Sequence, residues 1–413
     1  MMDATRAGPD YDVVIAGGGM IGTSLALALS TLKLRIAVVE AVARRDADQP
    51  SFDDRSTALS RSSQRTYTAL GLWDDIVAAA SPIERIHVSD KGRFGFAHID
   101  AAEQGVEALG YVVINRVLGE VLQRALDGRS NVDVLCPARV SGVRSGRERL
   151  DVEVSASAGC SLSCRLLVAA DGARSIVRDI IGIAARHVDY GQRAVIGNLL
   201  TERPIGKRAF ERFTEHGPIA MLPLPGGRAA FVWIVDAARA DELLALDDDL
   251  FAARLQQSFG QRLGEFSRVG ARATYPLWLS RADRLVAPRA ALVGNAAHGL
   301  HPVAAQGFNL GLRDVAALAD CIADAIAFDD GDPGAQELLD RYATWRRADQ
   351  NKLVTFTDGL VRLFGSRRPP LRVLRNVGML GFDFVPGVRK LFARHTMGLA
   401  GRLPRLSRGV PLS

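Results

Sequence analysis

Apolar residues change their period several times along this chain, and each change marks an element. Val13, Val14, Ile15 and Ala16 run uninterrupted, as a strand buried on both faces does. Met20 to Ser30 is rich in Ala and Leu, which predicts a helix lying on a sheet, and Ile36 to Val39 is a second continuous run. Strand, Gly-rich turn, helix and strand together predict a right-handed βαβ unit. From about Pro82 to Tyr111 the pattern shortens to alternating stretches such as Ile86-His87-Val88-Ser89, which predict antiparallel strands. Arg116 to Leu126 predicts a helix with Val117, Leu118, Val121, Leu122 and Leu126 on one face. Strands recur around Asp151 to Val154 and Leu166 to Ala169. A longer β-rich block runs from about Val195 to Leu279. It includes a hairpin turning at Gly226-Gly227 and is interrupted by one helix around Asp248 to Phe259. From about Tyr342 the chain reads as helix with Pro and Gly breaks.

The β-rich block lies between segments of nucleotide-binding type. The expected fold is therefore α/β, with a discontinuous Rossmann-like domain made of residues 1–81, 112–185 and 281–345. A β-sheet substrate domain, 82–111 and 186–280, lies over it, and residues 346–413 form a helical, basic C-terminal extension. Junctions between such domains are common ligand sites.

Three apolar strands end in turns built from Gly, Asp or Asn. The first turn is Gly17-x-Gly19-x-x-Gly22. Gly17 permits the tight turn, Gly19 lets backbone approach a pyrophosphate, and Gly22 permits close helix–strand packing, while the helix N-terminus offers N–H groups and a positive dipole end. Glu40 ends the second strand where an acid binds ribose hydroxyls and disfavours a 2′-phosphate, which suits FAD or NAD rather than NADP. The second turn is Asp171-Gly172, by itself an ordinary turn pair. The third is Gly294-Asn295, followed by a Pro-bearing loop and a helix with Leu310, Val315, Leu318, Ile322 and Ile326 at helical spacing. A second Gly-x-Gly-x-x-Gly is absent; a flavoenzyme with one such fold binds its flavin there, and any pyridine nucleotide then docks transiently.

Composition narrows the class. The 413 residues are 48% hydrophobic and 24% charged, as in a soluble globular protein. No apolar run is long enough to span a bilayer, and Met1 to Asp10 lacks the apolar core of a secretory signal, so a cytoplasmic location is expected. Four cysteines fit a reducing compartment, and Cys160 and Cys164 read as strand packing rather than metal ligands. The net charge of +6 is concentrated beyond Arg346, in Arg347, Lys352, Arg362, Arg367, Arg368, Arg372, Arg375, Arg389, Lys390, Arg394, Arg402, Arg405 and Arg408. Apolar residues interleave with these. The segment is not a nucleic-acid motif. It reads as a solvated helical face, as a basic amphipathic surface for anionic lipid, or as a docking surface for other enzymes.

The three turn segments, with Asp54-Arg55-Ser56-Thr57-Ala58-Leu59-Ser60, resemble the para-hydroxybenzoate-hydroxylase-like flavin monooxygenases. Within them the chain is most similar to the ubiquinone-biosynthesis hydroxylases, the 2-polyprenyl-6-methoxyphenol hydroxylase branch above all. The matching stretches are Gly294-Asn295-Ala296-Ala297, Leu300-His301-Pro302, Gln306-Gly307-Phe308-Asn309-Leu310-Gly311 and Phe210-Glu211-Arg212-Phe213-Thr214-x-His216-Gly217-Pro218. Two departures stand out. The wider family has Gly-Asp where this chain has Gly294-Asn295, and Gly-Gln-Gly where it has Ala305-Gln306-Gly307.

The resemblance implies an FAD-dependent hydroxylase that takes electrons from NAD(P)H or another donor. It would use O2 as co-substrate and hydroxylate a polyprenylated methoxyphenol through a flavin C4a-hydroperoxide. The alternatives are a sister hydroxylase of the ubiquinone pathway acting at another ring position, or a monooxygenase of a small soluble phenol. Such a polyprenyl substrate implies a peripheral place at the inner face of the membrane, beside other ubiquinone-biosynthesis proteins. Carried over by residue, Gly17, Gly19, Gly22 and Glu40 hold the ADP half of FAD. Arg55 would lie near the ribityl–pyrophosphate region, Arg116, at a helix start, would also reach the cofactor, and Asp171 would contact the pyrophosphate side. Gly294 and Asn295 flank the ribityl chain, and Pro302, Gln306, Gly307 and Asn309 edge the isoalloxazine ring. The chemistry is borne by the flavin, so no side chain is required as a base. His301 and His298 are candidates for one, against the plainer reading that they cap loop carbonyls. Phe213 and Met221 are candidates for lining an apolar substrate pocket, against plain core packing.

Overall fold

The computed structural model describes residues 9–43, 55–92, 96–155, 159–299, 306–329, 331–365 and 386–412. The first half runs β1 (Tyr11–Ala16), α1 (Met20–Leu29), β2 (Ile36–Val39), β3 (Ser56–Ser60), α2 (Arg61–Ala69), α3 (Trp73–Val77), β4 (Ser81–Ile83), β5 (Arg85–Asp90) and β6 (Phe96–Asp100). Next come β7 (Gly110–Ile114), α4 (Asn115–Asp127), β8 (Val132–Leu135), β9 (Arg139–Ser145), β10 (Leu150–Ser155), β11 (Cys160–Ala169) and α5 (Ile176–Ile180). The second half holds β12 (Ala185–Thr201), β13 (Arg208–Thr214), β14 (Gly217–Pro223), β15 (Arg228–Asp236), α6 (Ala237–Ala245), α7 (Asp248–Phe259), β16 (Phe266–Ser267) and β17 (Ala273–Ala282). It ends with β18 (Val286–Ala287), β19 (Ala290–Leu292), β20 (His298–Gly299), α8 (Gln306–Asp329), α9 (Gln336–Gly365) and α10 (Pro386–Thr396).

Continuous apolar strands make a parallel sheet because both of its faces are covered. β19, β11, β1, β2 and β8 pair in parallel in that order, and β9, β10 and β18 extend the sheet to eight strands. Every residue from Val13 to Ile15 and from Ile36 to Val38 is fully buried, beneath α1 on the apolar cluster it shares with α8. Register puts the carboxyl ends level: Ala16 lies opposite Ala169 and Val39, and Ala169 opposite Leu292. Cys164 is buried inside β11, whereas Cys160 is exposed.

The β-rich block forms a nine-stranded sheet ordered β20-β17-β12-β15-β14-β13-β5-β6, with β16 beside β12. Its two faces differ. One face packs Val195, Met221, Phe231 and Trp233 against Phe251, Leu255 and Phe259 of α7 and is closed to solvent. On the other, Ile86, Val88, Ala220, Leu222, Val232 and Ile196 are only half-buried. That second face is turned toward the rest of the molecule: Ala209, Ala230, Ile86 and Leu222 meet Ile83, Val112 and Ile114 of the small sheet β3-β7-β4.

Three expectations change. Residues 82–111 divide between sheets, because β4 and β7 pair with each other and with β3, while β5 and β6 join the nine strands. The single helix expected at Asp248 to Phe259 is preceded by another, α6, whose narrow stripe of Ala240 and Leu243 seats it on the closed face. Asp247 then starts α7 afresh by accepting a hydrogen bond from Leu250 N at 2.8 Å. Arg346, where a basic extension was expected to begin, lies inside α9, which starts at Gln336 and is anchored by the buried Tyr342 and Arg346.

The closed face sets a first prediction. Phe251 lies 5.4 Å from Phe231 and 6.0 Å from Trp233, ring centroid to centroid, with Arg272 over its own ring. Phe251→Ala is expected to destabilise the protein by about 3–5 kcal/mol, the usual cost of emptying a large buried aromatic site. Bound flavin should be unaffected. Urea unfolding followed by tryptophan fluorescence, with flavin absorbance in parallel, checks both.

Candidate functional site

The level strand ends gather the three turns that the sequence singles out. Gly17 N donates to Val39 O at 2.8 Å, Ala170 N to Ala16 O at 2.7 Å, and Val293 N to Ala169 O at 3.0 Å. The turn after each of β1, β11 and β19 therefore opens beside its neighbour, at the carboxyl edge where α/β sheets bind ligands.

Glycine is required at the first turn by contact. Gly17 has φ +105°, and a Cβ on it would lie 2.5 Å from Ala170 O. A Cβ on Gly22 would lie 1.9 Å from Gly17 O, so α1 starts backbone against backbone on β1. Gly19 is the N-cap of α1 and offers no side-chain cap to the first-turn N–H groups. Glu40 directly follows β2 with its carboxylate fixed, accepting from Gly18 N at 2.5 Å and Val42 N at 2.8 Å.

The remaining expected residues distribute as follows. Asp171 accepts from Ser175 Oγ at 2.5 Å and Val177 N at 3.1 Å, which ties the second turn to α5. Gly294, at φ +61°, begins a short 3-10 turn packed on Ile21 and Gly311, and Asn295 projects from it exposed between buried neighbours. Gln306, Gly307 and Asn309 lie in the first turn of α8. Gln306 is buried and donates to Thr396 O, and a Cβ on Gly307 would meet open space. Asn309 staples α8 to the β3–α2 corner, accepting from Ser60 N and Ser63 Oγ and donating to Ala58 O. Arg55 stands 4.6 Å over the Tyr275 ring, on the half-open face of the large sheet. Arg116, at the start of α4, is exposed and pairs with Glu120 at 3.2 Å. Met221 is packed on the closed face, whereas Phe213, of opposite strand parity, is buried on the other. His301 and Pro302 lie outside the described residues.

Beneath the third turn lies a polar centre that the sequence does not announce. Asp314, fully buried on α8, accepts from His298 Nε2 at 2.5 Å, Arg346 Nε at 2.7 Å and Gly294 N at 3.1 Å. Burial alone would raise its pKa, but the facing His298 and Arg346 outweigh this and hold it at about 2. Tyr342 reinforces the same corner through Leu292 O at 2.7 Å. A charged residue inside the apolar run of α8 was the available signal, since a buried charge demands partners.

These residues fit an FAD. The uncapped start of α1 is preceded by a glycine cradle that a Cβ would fill, and beside it the Gly294 turn leaves Asn295 free to face a polyol. Among the described residues no His, Cys, Asp or Glu cluster could hold a metal ion.

Two variants test the corner. Gly22→Ala must push Gly17 aside, and overpacking of about 1–3 kcal/mol is expected to lower flavin occupancy about tenfold or more at limiting FAD while the fold persists. Flavin absorbance per polypeptide and circular dichroism measure the two effects. Asp314→Asn leaves Arg346 and His298 buried without their anion and is expected to cost about 3–5 kcal/mol at neutral pH. The folded pKa of Asp314 is depressed from 3.8. Its stabilisation is therefore complete above about pH 4 and lost as pH falls through about 2. Thermal melts from neutral pH to about pH 2 should show a wild-type decline in that window that the variant lacks.

The comparisons agree with this geometry. Residues 10–357 match the model of the FAD binding domain family. The ubiquinone hydroxylase UbiL of Rhodospirillum rubrum is 40% identical over 405 residues, covering 97% of this chain and 93% of that protein. The 3-demethoxyubiquinol 3-hydroxylase of Escherichia coli is 32% identical over 393 residues, covering 94% and 98%. The crystal structure of the p-nitrophenol 4-monooxygenase PnpA from Pseudomonas putida DLL-E4 shares the fold with a TM-score of 0.78, at 22% identity over 95% of this chain and 98% of that one. With the glycine cradle, the level strand ends and a relative matched along nearly its whole length, the chain belongs to the FAD-binding family of flavin-dependent monooxygenases that includes the ubiquinone hydroxylases.

Proposed function

We propose that this protein hydroxylates the aromatic ring of a polyprenylated methoxyphenol in ubiquinone biosynthesis, using O2 and a reduced nicotinamide. The observation that carries this reading is the near full-length similarity to the Rhodospirillum rubrum ubiquinone hydroxylase. The half-open apolar face of the large sheet supports it, because a prenylated ring needs an apolar wall that still admits a ligand.

Bound FAD supplies the electron transfer and oxygen activation that side chains cannot. The chain supplies position and environment. The α1 N-terminus and Gly17, Gly19 and Gly22 receive the pyrophosphate, with Glu40 beside them for the ribose. Asn295 serves the ribityl chain. The first turn of α8, with Gln306 and Gly307, offers its positive dipole end where a reduced ring carries negative charge. Val88, Ala220, Val232 and Ile196 exclude water from the facing ring. No helix of the described residues is long and apolar enough to cross a membrane. We place the enzyme at the membrane surface through α10, where Leu391 is 60% exposed beside the exposed Lys390.

A second reading keeps the chemistry and moves the ring position. The Escherichia coli relative is named as a 3-demethoxyubiquinol 3-hydroxylase, which favours a sister step. One experiment separates the two: expression in a bacterium lacking its 2-polyprenyl-6-methoxyphenol hydroxylase, with quinones followed by mass spectrometry. Restored ubiquinone with the methoxyphenol intermediate consumed is the expected outcome. Persistent intermediate beside yellow, well-expressed protein, with rescue instead of a strain lacking the 3-demethoxyubiquinol step, would establish the second reading.

A further inference from the structure

A row of side chains crosses the half-open face of the large sheet in register: Ala273, Ile196, Val232, Ala220, Glu211, Val88 and Ala97. Six are apolar and the fifth is a carboxylic acid. Glu211 lies between Ala220 of β14 and Val88 of β5, with Ala209 and Phe213 on its own strand sharing its face. It is half-buried, so its carboxylate stays within reach of a ligand lying on the half-open face. Among the described residues its carboxylate makes no hydrogen bond and no ion pair. A carboxylate walled in by apolar side chains without a partner is costly, and such groups concentrate where a ligand completes them.

We propose that Glu211 is a catalytic residue that takes the proton of the substrate's phenolic hydroxyl; this rests on the aromatic substrate proposed above. The phenol O–H bond breaks, the proton passes to a carboxylate oxygen of Glu211, and the bonding pair stays on the phenolic oxygen. From there it raises electron density at the ring carbons ortho and para to it, one of which takes up oxygen. The proton leaves Glu211 for solvent when product departs. The surroundings suit this task. The facing stretches of β14, β15 and β12, from Pro218 to Leu222, Ala230 to Ile234 and Ala194 to Asn198, carry no ionisable side chain. Asp90 is the ionisable group next along the face on β5, Tyr275 stands on β17, and β6 contributes Ala97 and Ile99. Burial accordingly raises the Glu211 pKa to about 7, with no neighbouring charge contributing. A base poised near the working pH is the most effective kind.

The test compares holoenzyme carrying Glu211→Gln with wild type. Single-turnover hydroxylation of a short-chain prenyl methoxyphenol is measured from about pH 5.5 to pH 8.5. The expected loss is about 10²-fold in the hydroxylation rate, within the usual range for removing a general base. Flavin content and substrate KM should change little, and Glu211→Asp should recover part of the rate. Wild-type activity should fall as pH drops below about 7, and the variant should lack that limb. A second readout is independent of turnover. The folded pKa lies above the ordinary 4.5. The wild type therefore loses stability as pH rises through about 7, and a neutral Gln does not. The variant's Tm should exceed the wild type's at about pH 8.5 and match it only below the unfolded value, near pH 4. Active wild type with an equally active Glu211→Gln variant of unchanged pH profile overturns the assignment to Glu211. Wild type that leaves this phenol unmodified while it oxidises another overturns the substrate proposal, and with it the role toward this phenol.

Discussion

A single buried carboxylate holds the two ends of the nucleotide site together. Asp314 sits on α8, yet its oxygens bind the backbone of Gly294, the ring of His298 and the guanidinium of Arg346 on α9. Helix, turn and second helix therefore meet at one anion. Its hydrogen bonds hold the third turn against Ile21 of α1, at the level where the first turn opens. A hydrophobic contact would tolerate sliding here. Directional bonds to a charge in a low-dielectric interior do not, and the positioning that the flavin site needs comes from that rigidity.

The large sheet solves a different problem. In the function proposed above it is both a stiff wall and a face open enough to admit a ring. Strand parity divides these tasks between alternate residues of the same strands. Phe231 and Trp233 point into the sealed layer under α6 and α7, and Val232 between them points the other way. The sealed layer stiffens the backbone on which the half-open face is displayed, so the wall can be apolar without collapsing onto itself.

How much of this was legible follows from where the information lies. Val13–Ala16 of β1, β2, Leu166–Ala169 of β11 and β19 are uninterrupted apolar runs followed by Gly, Glu, Asp or Asn, and both strand and turn are written locally. The alternation in β5 and the Gly226-Gly227 turn of the β14–β15 hairpin were equally local. The partners of Asp314 were not: His298 lies 16 residues before it and Arg346 lies 32 after it, and only the packing of α8 on α9 brings them together. Arg346 read as part of a basic tail for the same reason. Phe213 and Met221 were ambiguous because the face of a strand that meets solvent, core or ligand is decided by register between β13, β14 and β5. Parity separates Phe213 from Met221, two residues that a linear reading groups together.

The order in which the three turns at the carboxyl edge of the parallel sheet appear along the chain has a temporal consequence. The turn after β1 is among the first segments made, while the turn after β19 and the α9 arginine that braces it come almost three hundred residues later or more. During synthesis on a ribosome the glycine cradle therefore waits, lined on one side, through most of translation. The three turns and the arginine that braces the third exist together only once synthesis has passed Arg346.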